Sequence, residues 1–163
     1  MVFVSLALYR SRNVAEFTTG QSALDANMGI ALTAVLVTSG AFAAVGVHAF
    51  RRQDLMRARR GFLAAAAIGI VFVIIKAIDY TQHASNGHGL GDGDFWDAYV
   101  LATGFHFAHV LLGAVMLIIV GRKIGKAAFP DSESAIAGVA LFWHMCDIAW
   151  FFLFPLFYAP VTA

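Results

Sequence analysis

Ionisable side chains interrupt the apolar runs of this sequence as pairs three residues apart: Lys76 with Asp79, His106 with His109, and His144 with Asp147. That spacing puts both members of a pair on one helix face. Several chemistries compete for them. Imidazole and carboxylate suit Zn or Fe, which makes His106, His109, His144 and Asp147 a candidate metal set. A ferritin-like di-iron site would need several glutamates in Glu-x-x-His motifs, and no apolar run here contains a Glu. A bis-histidine haem between His106 and His144 is a second candidate, and it requires a cavity lined by small residues. A proton route through Asp79, Asp147 and the histidines is a third. The plain alternative is an interhelical network, His to Asp and Trp to backbone, because polar residues inside bundles commonly act as glue. Lys76 and Asp79 most simply form an ion pair on one helix, close enough to the surface for the lysine to snorkel.

Other chemistries find no support in the sequence. The single cysteine, Cys146, excludes an intramolecular disulfide and multi-cysteine metal motifs. Set in an apolar run, it reads as an inert buried thiol. No Ser–His–Asp constellation, phosphate-binding loop or dinucleotide fingerprint is present. Gly87, Gly89, Gly91 and Gly93 follow no predicted strand and read as a flexible connector.

The elements that must position the pairs are membrane spans. Of the 163 residues, 60% are hydrophobic and 13% charged, about half the charge of a soluble domain, and the mean hydropathy is +0.76. A net charge of +1 makes no case for nucleic acid. Crossing a bilayer takes about 20 helical residues, and the sequence predicts an all-α polytopic bundle with full spans at 26–50, 61–80, 95–120 and 135–158. Ahead of them, 2–9 reads as a half-helix whose inner half is absent, from a start internal to a longer protein or leaning on a partner. At a rise of about 1.5 Å per residue, His106 lies about 16 Å from one surface, and His144 and Asp147 lie about 14 and 18 Å from the other. These three share a layer near the midplane. Lys76 and Asp79 lie within about 10 Å of the surface.

Loop charge sets the expected orientation. Arg51, Arg52, Arg57, Arg59 and Arg60 sit between the first two spans, and Arg122, Lys123 and Lys126 between the last two. The connector 81–94 has no Lys or Arg. The positive-inside rule puts loops 51–60 and 122–134 in the cytoplasm, and loop 81–94 and the C-terminus outside. Arg10 and Arg12 dissent. Tyr80, Phe95, Trp96, Tyr99, Phe154 and Tyr158 then lie near the outer interface, mostly as lipid-facing anchors. Gly61, Ala65 and Gly69, and Gly104 with Ala108, form small-residue rows that favour close helix packing. Pro155 falls in the last turn of the final span, where a kink costs little.

Three pieces of sequence resemble one family. Thr103-Gly104-Phe105-His106-Phe107-Ala108-His109-Val110 resembles the T-G-x-H-x-x-H-V signature of subunit III of the haem–copper oxidases. Trp143-His144-Met145-Cys146-Asp147-Ile148-Ala149-Trp150 is similar to its W-H-x-x-D-x-x-W on the last helix. Lys76-Ala77-Ile78-Asp79-Tyr80 stands where members carry an acidic residue followed by Tyr. The pieces occur in order, within a match running from about Leu24 to Tyr158.

The resemblance implies an accessory, non-catalytic subunit of a respiratory complex, with haem and copper in partner subunits and none in this chain. Its partners would be the catalytic subunit I, other oxidase subunits and membrane phospholipid, in a bacterial inner membrane. His106, His109, His144, Asp147, Lys76 and Asp79 would then form a structural polar network, with Trp143, Trp150 and Tyr80 as signature aromatics. The sequence departs from the seven-helix plan: the front pair of helices and most of the next, with its buried glutamate, are missing. Lipid-cleft and glutamate-dependent roles therefore do not carry over. The shortened plan and Leu153-Phe154-Pro155-Leu156-Phe157-Tyr158 look like the short branch associated with nitric oxide reductases, the alternative assignment.

Overall fold

The computed structural model describes Leu8, Ser11 and residues 14–126 and 132–159. The expected half-helix 2–9, Leu8 apart, lies outside the described residues, as do Arg10, Arg12 and part of the second basic loop. Helix α1 covers Val14–Ser22, α2 Ala26–Arg51, α3 Leu55–Ser85, α4 Asp94–Lys123 and α5 Ser132–Tyr158. The last four are long and apolar enough to cross a membrane.

The helix ends follow local chemistry. Asp25 caps α2 by accepting from Asn27 N at 2.8 Å, and Asp54 caps α3 by accepting from Arg57 N at 3.0 Å. That second cap starts α3 six residues before the apolar run does. The arginines 57, 59 and 60, expected in a loop, are therefore its first turns, and the turn between α2 and α3 shrinks to residues 52–54. Its tightness puts Gln53 in the left-handed region, at φ 62°. At the other end α3 continues to Ser85, which leaves 86–93 as the connector. Gly93, with φ 125°, opens α4, a backbone setting that suits glycine. Asp94 and Asp97 in its first turn and Arg122 and Lys123 in its last complement the helix dipole.

The spans close into a ring in which α2 packs on α3, α3 on α4, α4 on α5 and α5 back on α2. Small residues set the seams. Gly61 of α3 lies against the backbone of Gly46 on α2, and Gly69 of α3 and Gly113 of α4 together receive the indole of Trp143. The expected row on α4 is not a seam: a Cβ on Gly104 would meet nothing within 4 Å, and Ala108 is exposed. Glycines 113 and 121 take that role, because the inward stripe of α4 is Tyr99, Thr103, His106, Val110, Gly113, Leu117 and Val120.

Helix α1, absent from the sequence-based expectation, closes the connector end of the bundle. Phe17 meets Phe95 edge-on at 5.2 Å. Glu16 Oε1 accepts from Phe95 N at 3.1 Å, and Gln21 Nε2 donates to Leu156 O at 3.1 Å. This cover changes the fate of the interfacial aromatics. Phe95, Trp96, Tyr99 and Tyr158 are buried inside the bundle rather than anchored in lipid.

Candidate functional site

The polar residues divide into a cluster at the connector end and a looser layer at mid-bundle. Lys76 centres the first and is 1% exposed. Its Nζ donates to Asp79 Oδ2 at 2.7 Å, to Tyr158 Oη at 3.0 Å, and to Tyr99 Oη. Each ammonium proton thus has an acceptor. Tyr99 Oη donates to Asp79 Oδ2 at 2.9 Å, and the Tyr99 and Tyr158 hydroxyls are 2.9 Å apart. The remaining Asp79 oxygen faces His83 Nε2 at 3.2 Å. The rings of Tyr99, Tyr80, Tyr158 and Trp150 stand 4.6, 4.8, 5.7 and 6.0 Å from the ammonium, a cation–π cage. Lys76 therefore does not snorkel. A carboxylate one turn away and two tyrosine hydroxyls from α4 and α5 satisfy the charge inside the bundle. Such a site joins three helices and leaves no ammonium proton for another task.

At mid-bundle the candidates separate. His106, 5% exposed, stacks on Trp150 at 5.3 Å and meets Phe72 edge-on at 5.9 Å. Its Nε2 has no hydrogen-bond partner among the described residues, and neither does Trp143 Nε1. His144 lies on the other flank of α5, its Nδ1 3.2 Å from Asp147 Oδ2, beside Gly40 of α2. His109 pairs its Nδ1 with Phe105 O at 2.8 Å and stacks near Phe142. Among the described residues no three His, Cys, Asp or Glu side chains converge as a metal site. His106 points into the core while His144 faces the α2–α5 seam, so the two do not flank a haem cavity. The Trp150 indole stands between these two groups of polar residues, stacked on His106 and 6.0 Å from the Lys76 ammonium.

Of the signature aromatics, Trp150 Nε1 donates to Thr33 Oγ1 on α2 at 2.9 Å. Tyr80 Oη donates to Thr103 Oγ1 on α4 at 2.8 Å. Trp143 is wholly buried, as is Cys146. Sequence reasoning missed Tyr99, Tyr158 and His83 as partners of the Lys76–Asp79 pair. It also missed Ser39, whose hydroxyl donates to Ala65 O at 2.7 Å across the α2–α3 seam. One signal was available: Tyr99, Thr103 and His106 recur at helical spacing on a single face.

The family described as cytochrome c oxidase subunit III matches residues 19–160 of the chain. Among individual relatives, cytochrome c oxidase subunit 3 of Corynebacterium diphtheriae is 30% identical over 140 residues, which cover 85% of this chain and 68% of that protein. The probable cytochrome c oxidase subunit 3 of Mycobacterium tuberculosis is 31% identical over 136 residues, 83% of this chain and 67% of the relative. The Marchantia polymorpha subunit 3 is 31% identical over 127 residues, 77% of this chain and 47% of the relative.

Proposed function

The chain belongs to the cytochrome c oxidase subunit III family, and we propose that it acts within its complex by packing and not by redox chemistry of its own. It is an integral membrane protein and an accessory subunit of a haem–copper oxidase, an oxidoreductase complex. The matched relatives are cytochrome c oxidase subunits, which favours an oxidase over a nitric oxide reductase. In our reading this subunit carries no haem or copper, and the redox centres belong to the catalytic subunit that it stabilises. In this reading it resides in a bacterial inner membrane with the Arg-rich segment 51–60 and the segment 122–134 in the cytoplasm, and the segment 81–94 and the C-terminus outside.

The observation that supports a packing role is the Lys76 cluster. A buried charge with a full set of acceptors from three helices is spent on holding the bundle together. Neighbouring phospholipid and the partner subunits would complete the surroundings. Purification through a tag on this chain tests the reading. A large haem-bearing subunit should copurify, and the chain separated from it should show no visible absorption. A stoichiometric Soret band that stays with the isolated chain would overturn the proposal.

A further inference from the structure

Asp79 and Asp147 are both buried, each three residues after a basic side chain, and the bundle equips them unequally. Asp79 receives Lys76 Nζ at 2.7 Å and Tyr99 Oη at 2.9 Å on one oxygen, and faces His83 Nε2 at 3.2 Å with the other. Asp147 has His144 Nδ1 at 3.2 Å from Oδ2, and its buried Oδ1 has no partner among the described residues. An ionised carboxylate only accepts, with room for about four hydrogen bonds. The surroundings of Asp147 supply no further charge among the described residues. Across the seam α2 offers the bare backbone of Gly40, and its own ionisable side chains, His48 and Arg51, sit in its last turn. From α4, His106 stacks on Trp150 and His109 near Phe142. Lys76 of α3 is committed to its own cluster, and Glu16 of α1 to Phe95 N. Cys146, the neighbour in sequence, is a buried thiol.

Each way of charging the pair has a different cost. Ionised Asp147 beside a neutral imidazole leaves negative charge on a buried oxygen without a donor, which is costly in an apolar interior. An imidazolium–carboxylate pair leaves the same oxygen bare. It also puts a cation on a side chain that is 40% exposed about 14 Å along its span from Ala135, where hydrocarbon holds no water. A neutral acid beside a neutral imidazole avoids both costs. Its Oδ1 is then an uncharged carbonyl, whose lack of a partner costs far less than a bare charge. We infer that Asp147 is a proton-binding site near mid-membrane, a carboxylic acid that donates from Oδ2 to His144 Nδ1 while the imidazole carries its own proton on Nε2. The bundle thus holds two acid–base pairs of different kinds: Lys76–Asp79 carries opposite charges, and His144–Asp147 carries a proton and no charge. The inference is independent of the accessory-subunit reading.

Asparagine mimics the neutral acid, since its Nδ2–H can donate to His144 Nδ1 as the acid O–H does. In the assembled complex, Asp147→Asn should therefore keep the chain during detergent titration to within about twofold of wild type, one neutral hydrogen bond replacing another. Asp79→Asn, which leaves the Lys76 ammonium without its anion, should lower retention by more than about tenfold. Infrared spectra of the same complexes read the proton directly. At neutral pH, wild type minus Asp147→Asn should contain the C=O stretch of a carboxylic acid, shifted in deuterium oxide. Wild type minus Asp79→Asn should contain the paired stretches of a carboxylate. If Asp79→Asn does not assemble, it meets the expected loss and the Asp147 spectra decide alone. A carboxylate signature for Asp147 would overturn the assignment. So would equal losses in the two variants, or failure of Asp147→Asn to assemble.

Discussion

Asp147 and Gly40 meet across the α2–α5 seam: the carboxyl Oδ2 fills the space that a Cβ on Gly40 would need. A side chain on α5 is thus seated against the bare backbone of α2, and His144 closes over it at 3.2 Å. Glycine is required there by space.

Gly40→Ala should therefore cost about 1–3 kcal/mol, the range for forcing extra carbon into a packed site. Gly104→Ala is the matched control, because nothing stands within 4 Å of its added methyl. It should be neutral or stabilising by up to about 1 kcal/mol through helix propensity. Thermal unfolding of the purified complex, followed by loss of this subunit, measures both. Equal effects would show that the Asp147 contact does not set the seam.

The Lys76–Asp79 pair makes a prediction about coupling. Lys76→Met leaves a carboxylate in the bundle without its cation, and Asp79→Leu leaves the cation without its carboxylate. Each single change should destabilise by about 3–5 kcal/mol, the usual cost of an uncompensated buried charge. The double replacement should cost clearly less than the sum, since it removes both desolvation penalties. Additive losses in a double-mutant cycle would argue against a paired charge.

A second cycle addresses Trp150 and Thr33, whose bond of 2.9 Å ties α5 to α2. Trp150→Phe and Thr33→Val should couple by about 0.6 kcal/mol and no more than about 1.7, the span seen for hydrogen bonds between membrane helices. A coupling near zero would mean that the indole contributes only its packing.

Orientation is tested by single cysteines in a Cys146→Ala background. Ser85, exposed at the end of α3, should react with an impermeant thiol reagent on intact cells. Gln53, exposed in the turn between α2 and α3, should react only after permeabilisation. The reverse pattern would invert the topology.

The number of spans and their order were determined by the sequence itself. Hydropathy, helical rise and loop charge are one-dimensional quantities, and no knowledge of neighbours is needed to add them up. The same holds for the likeness carried by Thr103–Val110 and Trp143–Trp150, which family membership bears out. Boundaries were less legible. Asp54 shows that one capping carboxylate extends α3 well past its apolar run, so the arginines are helical. Azimuth was decided only by the tertiary structure. Lys76 was expected to snorkel and instead faces inward, because its partners Tyr99 and Tyr158 come from α4 and α5, 23 and 82 residues away. His106 and His144 share a depth and yet face a core and a seam. Which of two equally deep side chains meets protein depends on how four helices rotate about their own axes, and that rotation is set by glycines such as Gly40, Gly69 and Gly113 and by the rings they admit.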